Sequence, residues 1–158
     1  MKIAVSGASG HVGNVVCRKL IEKGCKVKAF YNSDSRSLQN LDLKLVQGNV
    51  LNKSDLSKSI EYCDFVINCA AIISINGDRD GLVFKTNTEG PKNILEVAIK
   101  YGVKKIIHVS SVHAVHDLRI QQFTTNKAFE NAPGTYNTNF NGSFYKAFSK
   151  TTTYRSHN

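Results

Sequence analysis

Short apolar runs alternate with longer amphipathic stretches along residues 1–117, and this alternation limits what the chain can fold into. The runs are rich in β-branched residues and too short to be buried helices. Runs of this kind are typical of parallel strands that are buried on both faces of a sheet. The runs that we interpret as strands are Ile3–Val5, Val27–Phe30, Leu43–Val46, Phe65–Asn68 and Ile106–Val109.

The stretches between these runs have the signals of helices. One helix is predicted over His11–Lys23, a second over Ser54–Glu61 with Ser54 as its cap, and a third over Leu82–Tyr101; the first and third are each followed by a glycine, which commonly ends a helix. Strands and helices that alternate in this way form an α/β fold with a doubly wound parallel sheet. Ligands of such sheets bind beyond the carboxyl ends of the strands. In the third helix, the apolar residues expected to face the sheet are Ile94, Leu95, Val97, Ala98 and Tyr101.

Composition excludes several classes of protein. The 158 residues carry a formal net charge of +9, but the lysines and arginines are scattered. Phosphate-rich ligands and plain solubility explain this charge better than a nucleic-acid partner, so we predict no nucleic-acid partner. Neither a cleavable leader nor a run of about 18 apolar residues is present, which favours a cytoplasmic protein without a membrane partner. The four cysteines have no metal-ligand spacing, and His108, His113 and His116 do not converge, so we expect no metal site.

A glycine-rich loop joins the first predicted strand to the first predicted helix. Gly7, Gly10 and Gly13 follow the spacing G-x-x-G-x-x-G, in the position where a dinucleotide-binding fingerprint is found. One glycine permits the tight turn, the next lets a phosphate approach the backbone, and the last lets the helix pack against the strand. The helix N-terminus favours the negative charge of the phosphate. This loop predicts a site for the pyrophosphate of NAD(P).

Several further motifs occur in the order of a known superfamily. With the glycine loop, the chain resembles the extended short-chain dehydrogenases/reductases, which include NAD(P)-dependent epimerases and dehydratases, dihydroflavonol reductases and 3β-hydroxysteroid dehydrogenases. The resemblance covers about residues 1–117 and implies a Rossmann-type dinucleotide-binding domain over that range. The motifs are Ser6–Gly13, Gly48-Asn49-Val50, Asn68-Cys69-Ala70-Ala71, Asn87-Thr88-Glu89-Gly90 and His108-Val109-Ser110-Ser111.

The resemblance implies where the nucleotide lies. The residues of the glycine loop would contact the pyrophosphate, and Ala70 and Ala71 would lie beside the nicotinamide-side ribose. Asn49 occupies the position where the family usually has an aspartate that touches the adenine amine, so the charge of that contact is lost. Asn87 would lie at the start of the helix below the active site. The residues expected to bind the cofactor are Gly7, Ser9, Gly10, His11, Val12, Gly13, Asn32, Arg36, Asn49, Val50, Ala70, Ala71 and Asn87.

The end of the second strand selects between NAD and NADP. An acidic residue there holds the ribose hydroxyls, whereas a basic residue accepts the extra phosphate. No carboxylate follows the strand immediately, and Arg36 could reach a 2′-phosphate, so we predict NADP. Asp34 could instead hold a ribose, which leaves NAD open, and Arg36 could be an ordinary solvated charge.

The resemblance also implies a catalytic serine, tyrosine and lysine. Ser111 matches the serine, whose hydroxyl would bind a substrate carbonyl, and the family's tyrosine and lysine follow the pattern Tyr-x-x-x-Lys. No tyrosine after Ser111 has a lysine four residues on; the nearest candidates, Tyr145 and Lys150, are one residue further apart. On a helix, one additional residue between the tyrosine and the lysine would turn the lysine side chain by about 100° away from the tyrosine. Tyr145 and Lys150 are therefore either a displaced catalytic pair or ordinary residues of the tail.

The character of the chain changes near residue 117. Residues 118–158 are polar and lack clear periodicity, so we expect an irregular tail, with a sheet that is incomplete on its C-terminal side, as in a truncated member of the family. An open sheet edge favours association into a homodimer. Two functions remain open: an NAD(P)-dependent oxidoreductase or epimerase acting on an unknown small molecule, and an inactive NAD(P)-binding module.

Overall fold

The computed structural model describes residues 1–74, 78 and 80–110, together with the backbone of a strand at 152–155. Its centre is one sheet in the order β3-β2-β1-β4-β5-β6, in which β1 to β5 run parallel. The predicted doubly wound parallel sheet is confirmed. The strands are β1 (Lys2–Ser6), β2 (Lys26–Tyr31), β3 (Lys44–Gln47), β4 (Phe65–Asn68), β5 (Lys105–His108) and β6 (Thr152–Arg155).

Three α-helices connect the parallel strands. They are α1 (His11–Glu22), α2 (Lys53–Ile60) and α3 (Leu82–Lys100), and a short 3-10 helix at Arg36–Leu38 follows β2. Their bounds agree with the predicted helices to within a residue or two, because each helix ends where its apolar periodicity ends. Among the described residues, no helix combines the length and the apolarity needed to cross a bilayer.

The sheet separates two apolar clusters, one on each face. One face packs against α2 and α3, and the predicted inner residues of α3 are buried or half-buried there. The other face packs against α1, where Cys17 is fully buried with Val5 and Ala29. Side chains of successive strand residues point to opposite faces, which explains why the strand sequences are apolar at nearly every position.

The cap of α2 differs from the prediction. The side-chain oxygen of Asn52, not Ser54, caps this helix by accepting a hydrogen bond from the backbone N–H of Ser54 at 2.9 Å. Asn52 has extended backbone angles, as a capping residue must, whereas Ser54 already lies within the first turn. The expectation that Ser54 caps α2 is therefore wrong by two residues.

The predicted tail lies almost entirely outside the described residues. Within it, the backbone of Thr152–Arg155 forms β6, which pairs antiparallel with β5. A short strand therefore occurs in the stretch that we expected to be irregular. The boundary predicted at residue 117 also lies outside the described residues.

The four cysteines lie in or against the two apolar clusters. All four are free thiols, and Cys17 and Cys63 are buried. Burial raises the pKa of Cys17 to about 12 and the pKa of Cys69 to about 11. Such thiols stay protonated at neutral pH and are poor nucleophiles.

Candidate dinucleotide-binding site

The glycine loop makes close backbone contacts at the carboxyl edge of the sheet. Gly7 has a positive φ of 66°, and a Cβ atom on it would lie 2.6 Å from the backbone nitrogen of Ala70. A Cβ atom on Gly13 would overlap the carbonyl oxygen of Gly7. Only glycine fits at these two positions, because one allows the turn and the other brings α1 against β1.

The first turn of α1 lies directly behind this loop. Gly10 is the N-cap of the helix and supplies no side chain to cap it. The backbone N–H groups at the start of a helix have no intrahelical partner, and the helix dipole adds partial positive charge there. His11 and Val12 are exposed, and Val12 leaves 50% of its surface uncovered. Ala8 is part of the loop, but its side chain is fully buried and cannot obstruct a ligand. An anion of the size of a phosphate fits this arrangement.

The loop after β2 is fastened to the glycine loop. The hydroxyl of Ser37 donates to the backbone oxygen of Ser9 at 3.0 Å. The side-chain amide of Asn14 donates to the backbone oxygen of Ser37 at 2.6 Å. These two bonds hold the residues that would select the ribose next to the residues that would bind the pyrophosphate.

Arg36 is engaged by Asp34 in this loop. The guanidinium contacts both carboxylate oxygens of Asp34, with the shortest distance of 2.7 Å between Nη2 and Oδ2. These hydrogen bonds lower the pKa of Asp34 to about 2, so its carboxylate is charged at neutral pH. Both side chains are solvated, at 85% exposed for Arg36 and 52% for Asp34. Asn32 is also exposed, and its backbone oxygen accepts a bond from Gln47. Arg36 was predicted from the sequence as a phosphate ligand, but its ion pair with Asp34 was not predicted.

The residues after β3 are divided between solvent and core. Asn49 is exposed, and its side-chain oxygen accepts the backbone N–H of Leu51 at 2.9 Å. Val50 is buried, at 8% exposed, and packs where Gly90 brings α3 close. Its backbone oxygen accepts a hydrogen bond from the side-chain amide of Asn93 on α3 at 3.3 Å. The expected nucleotide contact of Val50 stays a prediction.

Asn68 joins the ends of three strands, and the sequence analysis assigned it no role. Its side-chain oxygen accepts the hydroxyl of Ser6 at 2.6 Å and the backbone N–H of Ala70 at 3.0 Å. Its side-chain nitrogen lies 2.9 Å from Nδ1 of His108. Ser6 precedes Gly7, so Asn68 holds the two loops that touch at Gly7 and Ala70. A buried asparagine on an apolar strand is the signal that could have identified this cluster, since buried amides need partners.

Asn87 holds the other end of the loop that contains Ala70 and Ala71. Its amide donates to the backbone oxygen of Ile72 and accepts the backbone N–H of Ile72, both at 2.9 Å. Ala71 is exposed and Ala70 half-buried. Asn87 lies on α3, five residues after the helix begins at Leu82, and its amide is committed to the backbone of Ile72. A direct contact between Asn87 and a nucleotide stays a prediction.

The end of β5 carries the last described residues of the site. Burial lowers the pKa of His108 to about 4, so its imidazole is neutral at pH 7. Because the amide of Asn68 donates to Nδ1, the ring proton is on Nε2. Among the described residues, Ser110 Oγ is a buried polar atom without a hydrogen-bond partner. Ser111, Tyr145 and Lys150 lie outside the described residues.

One other Tyr-x-x-x-Lys pattern in the sequence forms no catalytic arrangement. Tyr101 and Lys105 have this spacing, but Tyr101 is the C-cap that follows α3 and Lys105 begins β5, so they do not share a helix face. Within the part of the chain that the structure describes, no three histidine, cysteine or carboxylate side chains lie together as metal ligands.

We predict that His108 makes folding sensitive to acid. Its pKa is near 6.5 when unfolded and about 4 when folded, so between these values the unfolded chain binds more protons. The free energy of unfolding should therefore fall as pH drops from about 6.5 to about 4, by roughly 3 kcal/mol from this group. His108→Asn keeps an acceptor for Asn68 and does not titrate. Urea denaturation across this interval should show a shallower pH dependence for the variant; parallel curves would contradict the assignment.

Comparison with known proteins agrees with this geometry. The model of the NAD dependent epimerase/dehydratase family matches residues 3–141. A 2-alkyl-3-oxoalkanoate reductase of Shewanella oneidensis is 30% identical over 107 residues, which are 68% of this chain and 27% of the reductase. The chain thus spans about a quarter of the length of this relative.

Solved structures show the same fold. A short-chain dehydrogenase/reductase superfamily protein of Agrobacterium tumefaciens with bound NAD is 31% identical, with a TM-score of 0.61 over 70% of this chain and 33% of that protein. The UDP-glucose 4-epimerase of Thermotoga maritima is 32% identical, with a TM-score of 0.64 over 72% of this chain and 39% of the epimerase. The chain belongs to the NAD-dependent epimerase/dehydratase family of the short-chain dehydrogenase/reductase superfamily, as the motifs predicted.

Proposed function

We propose that this chain binds a nicotinamide dinucleotide along the carboxyl edge of its sheet, as part of an NAD(P)-dependent oxidoreductase or epimerase. The observation that carries the proposal is the N-terminus of α1, which has no side-chain cap and lies behind a loop where Gly7 contacts Ala70. The free backbone N–H groups, the helix dipole and the absence of side chains at the glycines of the loop together suit a pyrophosphate. The family membership adds the nicotinamide cofactor.

The strand order divides the proposed site into two halves. The pyrophosphate would lie at β1, the adenosine beyond β2 and β3, and the nicotinamide beyond β4 and β5. The bound dinucleotide would supply hydride chemistry between nicotinamide and a carbonyl or alcohol carbon of a small molecule. Asn68 and Asn87 would set the loop of Ala70 and Ala71 beside the nicotinamide. Ser111 would orient the substrate, and Tyr145 with Lys150 would exchange its proton.

A second function is an NAD(P)-binding module without turnover. The observation that favours it is the spacing of Tyr145 and Lys150, which are five residues apart instead of four. A tyrosine needs a nearby cation to lower its pKa enough for acid-base catalysis near neutral pH. Both functions share the proposed nucleotide site and differ only in the chemistry.

We propose the cytoplasm as the compartment and a homodimer as the assembly. Four free thiols agree with a reducing compartment. On the face of the sheet that packs against α1, Phe65, Ile67 and Ile107 are only half-buried. Partly covered apolar side chains on a sheet favour association.

Binding of the dinucleotide is tested with two glycine substitutions at opposite ends of α1. Gly10→Ala adds a methyl group where the phosphate would approach, and its Cβ would lie 3.2 Å from the Gly7 oxygen, a tight contact that a small backbone shift would relieve. Gly24→Ala lies at the far end, at a positive φ of 72° with open space around it. Each should cost about 1 kcal/mol of stability. In a fluorescence titration, Gly10→Ala should raise the Kd for NADH or NADPH at least about tenfold. Gly24→Ala should leave the Kd unchanged.

The two variants separate folding from binding. Equal losses of affinity in both would mean that stability alone controls the binding. An unmodified chain that binds neither NADH nor NADPH would contradict the proposed function.

We propose NADP as the preferred cofactor, with NAD as the alternative. The 2′-phosphate would have to replace Asp34 on the Arg36 guanidinium, because that carboxylate now holds it. Asp34→Asn should therefore lower Kd for NADPH relative to NADH by about three- to tenfold. Asp42→Asn removes an exposed carboxylate elsewhere and serves as the control. An unchanged ratio in Asp34→Asn would remove Arg36 from cofactor selection.

Turnover distinguishes the enzyme from the inactive module. If Tyr145 exchanges the proton, Tyr145→Phe should lower NADPH-dependent reduction of a carbonyl substrate by at least about a hundredfold while Kd for NADPH stays the same. Tyr136→Phe is a matched control outside the proposed pair. Equal turnover by the Tyr145 variant would exclude this residue, and the absence of turnover in the unmodified chain would favour the module.

A further inference from the structure

The order of the strands would place Asn49 beside the base of a bound dinucleotide. This inference rests on the proposed dinucleotide site. In a doubly wound sheet the pyrophosphate lies at the first strand and the ribose at the end of the second. The base then lies farther in the same direction, and the next strand in this sheet is β3. Asn49 is two residues beyond the end of β3 and is exposed. The backbone N–H of Gly48 donates to the oxygen of Tyr31 at 2.9 Å, which joins the end of β3 to the end of β2.

The hydrogen bonds around Asn49 fix which atom of its amide is available. The backbone N–H of Leu51 is a donor, so the atom 2.9 Å from it must be the oxygen Oδ1. The N–H of Asn49 itself donates to Oδ2 of Asp55 at 3.3 Å, which also holds the turn. Within the described residues, Nδ2 has no acceptor. A ligand that meets Asn49 therefore meets a hydrogen-bond donor.

A donor at this position does not select the amino group of adenine. Adenine carries a donor at its position 6, whereas a 6-oxopurine carries an acceptor there. Nδ2 of Asn49 can donate to a ring nitrogen of adenine and equally to the oxygen of a 6-oxopurine. We propose that Asn49 makes the base pocket tolerant of 6-oxopurines, so that the chain binds nicotinamide hypoxanthine dinucleotide about as tightly as NAD.

A carboxylate at residue 49 would reverse this tolerance. In Asn49→Asp one oxygen still accepts the N–H of Leu51, which preserves the turn. The other oxygen accepts from the 6-amino group of adenine and opposes the 6-oxygen of hypoxanthine. Two oxygen acceptors that face each other in a binding site have no hydrogen to share, and this lowers the affinity for the ligand.

The test compares NADH with reduced nicotinamide hypoxanthine dinucleotide by fluorescence titration. For the unmodified chain we expect the two Kd values to agree within about threefold, and for Asn49→Asp we expect NADH to be favoured at least about tenfold. Asn52→Asp is the matched control, because it adds the same charge nearby and keeps the cap of α2. Its ratio should equal that of the unmodified chain.

The outcomes separate this inference from the proposed function. An unmodified chain that already prefers NADH tenfold, or an Asn49→Asp variant with an unchanged ratio, would overturn the inference and leave the dinucleotide site in place. Failure of the unmodified chain to bind either nucleotide would overturn the proposed function and the inference with it.

Discussion

The contact between the backbones of Gly7 and Ala70 is the constraint on which the site depends. Gly7 directly follows the central strand β1, and its missing side chain lets the loop after β4 come within van der Waals distance. Asn68 holds both partners of this contact through Ser6 and the N–H of Ala70. Any side chain at residue 7 would separate the loops. The α1 N-terminus would then no longer face the edge where the dinucleotide is proposed to bind.

The elements of the fold could be predicted because their signals are local. The apolar runs of β-branched residues each lie within one strand, and the periodicity of α3 lies within one helix. A glycine loop between a strand and a helix has a known geometry. The cap of α2 was misplaced because Asn52 and Ser54 are both good caps and only the backbone angles decide between them. Sequence motifs thus indicated the family and the proposed cofactor site.

The polar contacts of the site could not be predicted, because they join residues that are distant in sequence. The cluster of Ser6, Asn68 and His108 requires that β1, β4 and β5 be adjacent, which the strand order establishes. The pair of Asp34 and Arg36 is close in sequence, but the sequence presents the two residues as alternative cofactor ligands, and only the structure shows them as partners. The burial of Val50 depends on how closely α3 approaches at Gly90. Ser111, Tyr145 and Lys150 remain sequence predictions.

The most direct measurement is the amide ¹H–¹⁵N NMR spectrum of the chain during titration with NADPH. If the α1 N-terminus binds the pyrophosphate, the amide signals of Gly10, His11, Val12 and Gly13 should shift most and saturate together. Amides at the opposite edge of the sheet, such as those of Gly24 and Gly102, should not move. Shifts confined to residues away from the glycine loop, or the absence of saturable shifts, would contradict the account.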